Sequence, residues 1–327
     1  MSMPATTVTA RADRGDSSPV RPAGGVPAKG RRRSGPLARI PVPLWLLLPA
    51  ALVLIPLFGY PLYQLGLLSV LKFGQPQASG GVPTEFVGLS NYTDVLGDSQ
   101  FWSVLGQTLA FAAFCVVATL VVGAVCAVLL TRVGKWPRLL LMFGALGAWA
   151  APAMTGSTVW MFLLDTNSGL VNEILGTQGH NWMYDKWSAF AMVAVVVVWH
   201  SFPFVMITLY AGIQAIPDSV LEAARLDGAG TATIFRKVML PMLRPLLVIV
   251  VIQSIIWDFK VFTQIYVMTG GGGIAGQNLV LNVYAYQKAF VAENYSLGAA
   301  IGVLMTLILL AVTAVYIRSL RRSGEEL

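Results

Sequence analysis

Asp258 is the residue whose surroundings most need explaining. It falls near the middle of an apolar run at 246–268. A carboxylate there costs about 2.5 to 3.5 kcal/mol if it meets lipid, so it is expected to face a wet cavity or a partner. Ser254, Trp257, Asp258 and Val261 follow the spacing i, i+3, i+4, i+7 and share one face of a helix. That face offers a hydroxyl, an indole plane and a carboxylate. Aromatic planes pack on C–H surfaces and acceptors take hydroxyl protons, so the set suits a neutral polyol. Two plainer readings stand beside it: Asp258 pairs with Lys260 or with a neighbouring subunit, and Trp257 only packs. Residues two apart on a helix do not face each other, which weakens the internal pair.

The polar segment 217–245 carries a second set. Pro217, Asp218 and Ser219 open a short helix of strong helix formers that ends before Gly228 and Gly230. A second helical stretch, 232–238, is expected to stop before Leu240-Pro241, with Pro245 opening the next apolar run. Ala223, Ala224, Gly228, Ala229 and Gly230 let another surface approach the backbone closely, while Glu222, Arg225 and Asp227 set register by charge. This describes a docking knob; the plainer reading is a hairpin that joins two apolar runs.

Catalytic and metal patterns are missing. The two histidines, His180 and His200, lack metal-ligand spacing, and His200, beside Pro203, reads as a hydrogen-bonded residue at a helix kink. There is no G-x-S-x-G, no H-E-x-x-H and no carboxylate pair at helical spacing within an apolar run. Gly134-Lys135 lacks the rest of a phosphate-cradling loop. Gly271, Gly273 and Gly276 spell G-x-G-x-x-G but open no βαβ unit, so they read as a flexible turn. Cys115 and Cys126 lie about 16 Å apart along a helix and cannot bridge, which leaves thiol packing. No cofactor or metal is expected.

The elements that must position these groups follow from composition. Of 327 residues, 56% are apolar and 11% charged, against roughly 45–50% and about 25% in soluble proteins. This excludes a cytosolic enzyme, a disordered chain and a disulfide scaffold. A bilayer crossing needs about 20 apolar residues, and six stretches qualify: 44–71, 104–131, 139–164, 188–212, 246–268 and 298–317. The first is too long for the apolar core of a signal peptide. Counting Lys and Arg on alternate sides gives 18 against three, with Lys260 inside a span, so both termini are expected in the cytoplasm. The net charge of +7 is thereby a matter of topology and calls for no nucleic acid. Residues 1–40, rich in Pro, Gly, Ser and Arg, read as a disordered cytoplasmic tail with affinity for anionic lipid, followed by a six-span domain over 41–322. The outer loops 72–103 and 165–187 mix aromatic and polar residues and suit either a partner or interfacial anchoring.

The string Glu222-Ala223-Ala224, Asp227-Gly228-Ala229, Phe235, Leu240-Pro241 and Pro245 resembles the EAA loop of the permease subunits of bacterial ABC importers. Trp199 to Phe204, Ile265 to Gly271, and Tyr284, Tyr286 and Phe290 look like the carbohydrate, maltose-type branch, although that branch often has Pro where Gly273 stands. The likeness covers about 40–320. It implies an all-α polytopic fold of six transmembrane helices, the type I importer permease fold, in a bacterial inner membrane. It also implies that the loop at about 213–245 couples to an ATPase through Glu222, Ala223, Ala224, Asp227 and Gly228, with Leu240 and Pro241 holding the loop against the bundle. The face of Ser254, Trp257, Asp258 and Val261, with Ser201 and Phe204, would line the substrate path. The implied partners are a second, related permease, two ATP-binding cassette subunits, an extracytoplasmic solute-binding protein and membrane lipid. The implied cargo is a sugar or oligosaccharide. Glycerol phosphates are the competing cargo, and an ion-coupled secondary transporter is the competing class.

Overall fold

The computed structural model describes residues 42–322; the expected tail at 1–40 lies outside the described residues. The chain divides at Pro56 into two units. The first contributes described residues 42–56, the opening half of helix α1 (Val42–Ser69), and the second, from Leu57, contains everything else. After α1 come a two-residue strand β1 (Leu71–Lys72), the short helix α2 (Gln75–Ala78) and strand β2 (Glu85–Phe86), paired antiparallel to β1. Then follow α3 (Ser90–Gly97), α4 (Ser99–Arg132), α5 (Lys135–Ala150), α6 (Ala153–Leu163), α7 (Leu170–Leu175) and α8 (Lys186–Gln214). The rest is α9 (Asp218–Leu226), α10 (Thr231–Ile234), α11 (Leu240–Phe259), α12 (Thr263–Met268), α13 (Leu281–Tyr286) and α14 (Tyr295–Arg322). Two π-helical turns, Phe235–Met239 and Gln287–Val291, join α10 to α11 and extend α13.

Five helical stretches are long and apolar enough to cross a membrane: Leu47–Ser69, Ser99–Arg132, Lys186–Gln214, Phe235–Met268 and Tyr295–Arg318. The sixth crossing is the pair α5 and α6, bent by 106° at Ala151-Pro152. The apolar stretch expected at 139–164 is thus two helices that meet at a bend. Proline restricts the preceding residue to extended backbone, and Ala151 has ψ 136°. The fifth span is also interrupted. α11 ends at Phe259, and Phe262, at φ −132° and ψ −61°, precedes α12. Inside the break, the Lys260 carbonyl accepts from Asn282 Nδ2 at 2.8 Å, which satisfies a group the helix would have covered.

The most extensive packing is between α4 and α8. Gly123 on α4 makes it possible: a Cβ there would come within 2.7 Å of Val205. Gly212 on α8 plays the same part against Leu243 and Leu246 of α11. Cys115 is buried in this core and both cysteines are free, in line with packing rather than bridging.

The expected stop before Leu240-Pro241 is replaced by the π-helical turn Phe235–Met239, and the helix runs on through Pro241 and Pro245. Proline lacks the N–H and crowds the carbonyl four residues back, and a widened turn relieves that crowding without ending the helix. The glycine segment after α12 is likewise no loose turn. Gly270, Gly271, Gly272, Gly273 and Gly276 all have positive φ, and Asn278 N–H bonds to the Gly272 carbonyl at 2.7 Å. A side chain at Gly272 would come within 2.6 Å of buried Leu279, and one at Gly273 would run into Asn278.

Candidate substrate cavity and coupling helix

A cavity of about 600 Å³ opens where α5, α8, α11, α12 and α13 meet. Of the residues expected on a substrate path, Ser201, Trp257, Asp258 and Val261 line it. Phe204 stands behind Trp257, edge to face at 5.3 Å, and stacks on Trp149 at 6.5 Å. Ser254 is buried at 4% exposure and is absent from the lining. The expected four-residue helix face is corrected accordingly: α11 stops at Phe259, so Val261 reaches the cavity from the break rather than from a further helical turn.

Asp258 is 2% exposed, and its Oδ2 has no hydrogen-bond partner among the described residues. A buried polar oxygen without a partner costs free energy comparable to a lost hydrogen bond, and this oxygen is itself closed off from the cavity. The lining also takes in five residues that the expected substrate path left out, Trp149, His200, Lys260, Gln264 and Asn282, besides Val197, Phe262 and Thr263. Four of these five lie on elements other than α11, so periodicity within one helix carries no trace of them. His200 lies in α8 three residues before Pro203, next to the Ala148 backbone of α5.

At the opposite end of α11 stands α9. Pro217 precedes it, Asp218 lies in its first turn and Arg225 in its last, each favourable for the helix dipole. It ends in a Schellman turn: Gly228 N–H bonds to the Arg225 carbonyl and Ala229 N–H to the Ala224 carbonyl, both at 3.0 Å. Gly228 has φ +77°, with open space where a Cβ would stand. No residue of α9 is buried. Glu222, Ala223 and Asp227 are exposed, Ala224 is half-buried, and Leu226 is 89% exposed. Behind α9 a cavity of about 950 Å³ separates it from the ends of α4 and α8, with Leu221 and Arg225 on its near wall. Leu240 and Pro241, expected to hold the loop, are themselves exposed. The loop is seated instead by Ile216 and Ile234, buried at 7% and 8%.

The other end is pinned by side chains. Asn172, 1% exposed, has Nδ2 within bonding distance of the Asp165, Thr166 and His180 carbonyls, and its Oδ1 accepts from Thr177 Oγ1 and Trp182 Nε1. Asp98 accepts from Tyr284 Oη at 2.8 Å and from the Gln100 N–H, with Lys288 at 3.6 Å. The Tyr284 bond foremost, then the Gln100 amide and the Lys288 charge, hold the Asp98 carboxyl below its usual range. Burial, followed by the Asp98 hydrogen bond, pushes the Tyr284 phenol up. Asn278 and Gln277 tie the glycine loop to the Lys186 and Tyr184 carbonyls.

Apolar crossings, a polar and aromatic cavity between them and a protruding helix at one end together define a membrane permease. Residues 119–323 match the family of binding-protein-dependent transport system inner membrane components, and the chain belongs to it. It is a multi-pass permease subunit of an ABC importer, a transport component rather than an enzyme. The diacetylchitobiose uptake system permease protein DasB of Streptomyces coelicolor is 41% identical over 309 residues, 93% of this chain and 92% of its own length. The trehalose/maltose transport system permease protein MalF of Thermococcus litoralis is 35% identical over 237 residues, 71% of this chain and 79% of its own. A permease chain of a bacterial ABC transporter that imports the acidic polysaccharide alginate shares the fold, with TM-score 0.72 at 16% identity over 86% of this chain and 96% of that one.

Proposed function

We propose that this chain, as one permease domain with the Glu222 end in the cytoplasm, moves a neutral sugar or short oligosaccharide through the Asp258 cavity, driven by ATP hydrolysis on a separate subunit. The observation that carries the cargo is a cavity walled by Trp149 and Trp257 and edged by the polar side chains of Ser201, Asp258, Gln264 and Asn282. Those side chains suit sugar hydroxyls, and the C–H faces of a sugar suit the indole planes. Relatives named for diacetylchitobiose and for trehalose and maltose support the same class. A glycerol phosphate finds Lys260 as the single Lys or Arg in the lining, opposed by the Asp258 carboxylate, so a neutral cargo fits better. An ion-coupled transporter would leave α9 without a task.

The α9 helix, through Glu222, Ala223, Ala224, Asp227 and Gly228, docks in a cleft of the ATPase, and a second, related permease completes the path. The full assembly has two permeases, two ATPases and a solute-binding protein outside the membrane. The excess of Lys and Arg around the Glu222 end supports the orientation.

The test is ATP-dependent uptake of labelled N,N′-diacetylchitobiose, trehalose and maltose by the assembled complex in proteoliposomes. At least one sugar should accumulate. Asp258→Leu should lower its uptake on the order of a hundredfold, the scale of leaving a substrate hydroxyl unpaired in a polar site. A cysteine at Ala223 should crosslink to the ATPase. Sugar uptake unaffected by Asp258→Leu would sink the cargo assignment, and an Ala223→Cys variant that never captures the ATPase would sink the docking assignment.

A further inference from the structure

A second cavity of about 340 Å³ shares both Phe262 and Asn282 with the Asp258 cavity and runs between α13, the π-helical turn after it and α14. Its wall is a file of rings. Phe262 lies 5.4 Å from Tyr286, Tyr286 lies 5.0 Å from Phe290, and Phe290 lies 6.0 Å from Tyr295, none of these pairs face to face. Asn282, Tyr286 and Tyr295 belong to this wall; Asn282 Nδ2 donates to the Lys260 carbonyl and Tyr295 Oη to Gln75 Oε1, which leaves the amide and phenol oxygens as acceptors. Apolar planes edged with fixed polar groups suit a pyranose better than an acyl chain, which has no use for the polar groups.

The π-helical turn is the second observation. Ala292 N–H bonds to the Gln287 carbonyl at 2.8 Å, the i to i+5 spacing of a widened turn. The π-turn before α11 has prolines to explain it, whereas 287–294 contains none. Here the widened turn coincides with three placements. Gln287 Nε2 reaches the Gly271 carbonyl at 2.7 Å, Lys288 reaches Asp98, and Phe290 stays 60% exposed at the cavity wall. Gly298 lets α14 close against the turn, since a Cβ there would run into Ala289.

We infer that this second cavity is an additional carbohydrate subsite, adjoining the first at Phe262 and Asn282, that holds one further ring of an oligosaccharide while its leading rings occupy the Asp258 cavity. With little more than half the volume of the first, it takes one ring rather than a second disaccharide. The inference rests on the sugar reading of the first cavity.

The experiment compares uptake of labelled N,N′-diacetylchitobiose with that of N,N′,N″-triacetylchitotriose by the full importer in proteoliposomes, with recovery of the assembled complex measured alongside. Phe290→Ala should lower the trimer-to-dimer ratio about tenfold, the loss expected for one aromatic contact. Phe290→Trp should keep the ratio near that of the wild type. Asp258→Leu should lower both sugars and leave the ratio in place. A wild type that imports the dimer alone, or a ratio that Phe290→Ala does not move, overturns the second subsite and leaves the first intact. A drop in complex recovery without a change in ratio assigns this wall to packing against a neighbouring subunit or lipid, and also overturns it. A wild type that imports neither sugar defeats the sugar reading, and the second subsite falls with it.

Discussion

At the Gly272 end, loops that carry no long helix are held by side-chain hydrogen bonds: Asn172 to three carbonyls and two donors, Asp98 to Tyr284, Asn278 to Lys186. At the Glu222 end, α9 has regular structure, good termini and no buried residue, and it meets the bundle through Ile216 and Ile234. Regularity and anchorage are thus separated in this molecule. The irregular end is the frame held by side chains. The regular end is a preformed helix on two apolar feet with a cavity behind it, a construction that lets a push move the helix as a body. Local stability follows buried contacts rather than helical content.

The contrast is broken most severely at Asn172. Asn172→Ala strands several buried donors and acceptors and should destabilise the protein by on the order of 3 kcal/mol, seen as a lower melting temperature of the detergent-solubilised complex. Melting as high as the wild type would show that hydrogen bonds do not frame this end. Gly212→Val probes the close approach of α8 to α11 beside the Glu222 end. Overpacking against Leu243 and Leu246 should cost about 2 kcal/mol by the same measurement.

Gly228→Ala sharpens the comparison. Its φ of +77° with open space around it predicts strain of about 1 kcal/mol confined to the turn. Melting should barely change, while sugar-stimulated ATP hydrolysis falls several-fold. A fall in both together would mean that α9 carries the fold as well as the coupling proposed for it.

The smallest effect is at Tyr284. The depressed Asp98 carboxyl contributes stability that is present above its unfolded pKa of about 3.9 and is lost as pH falls through the lower, folded value. With Asp98 partly in solvent the contribution is no more than about 1 kcal/mol. Tyr284→Phe should therefore narrow the gap between melting temperatures at pH 6 and pH 3.5, and an unchanged gap would detach Asp98 from the frame.

The six apolar runs and α9 were legible in the sequence because span length, caps and the Gly228 stop are local properties. The interruption at Ala151-Pro152 lay within reach, since the proline is visible; the one after Phe259 did not, because the Lys260 carbonyl finds Asn282 twenty-two residues on. The cavity was half legible for the same reason. Asp258 and Trp257 announce themselves on one helix, while Trp149, Gln264 and Asn282 arrive from other elements. Leu240 and Pro241 misled because the π-helical turn absorbs the prolines and leaves both residues in the open.

The 106° bend between α5 and α6 has one more consequence. A helix that starts afresh midway through an apolar layer points its first amide hydrogens at no carbonyl of the preceding turn, and no side chain caps α6. Hydrocarbon offers those hydrogens nothing. Water, or an acceptor from a neighbouring molecule, is the partner those hydrogens would take at this bend.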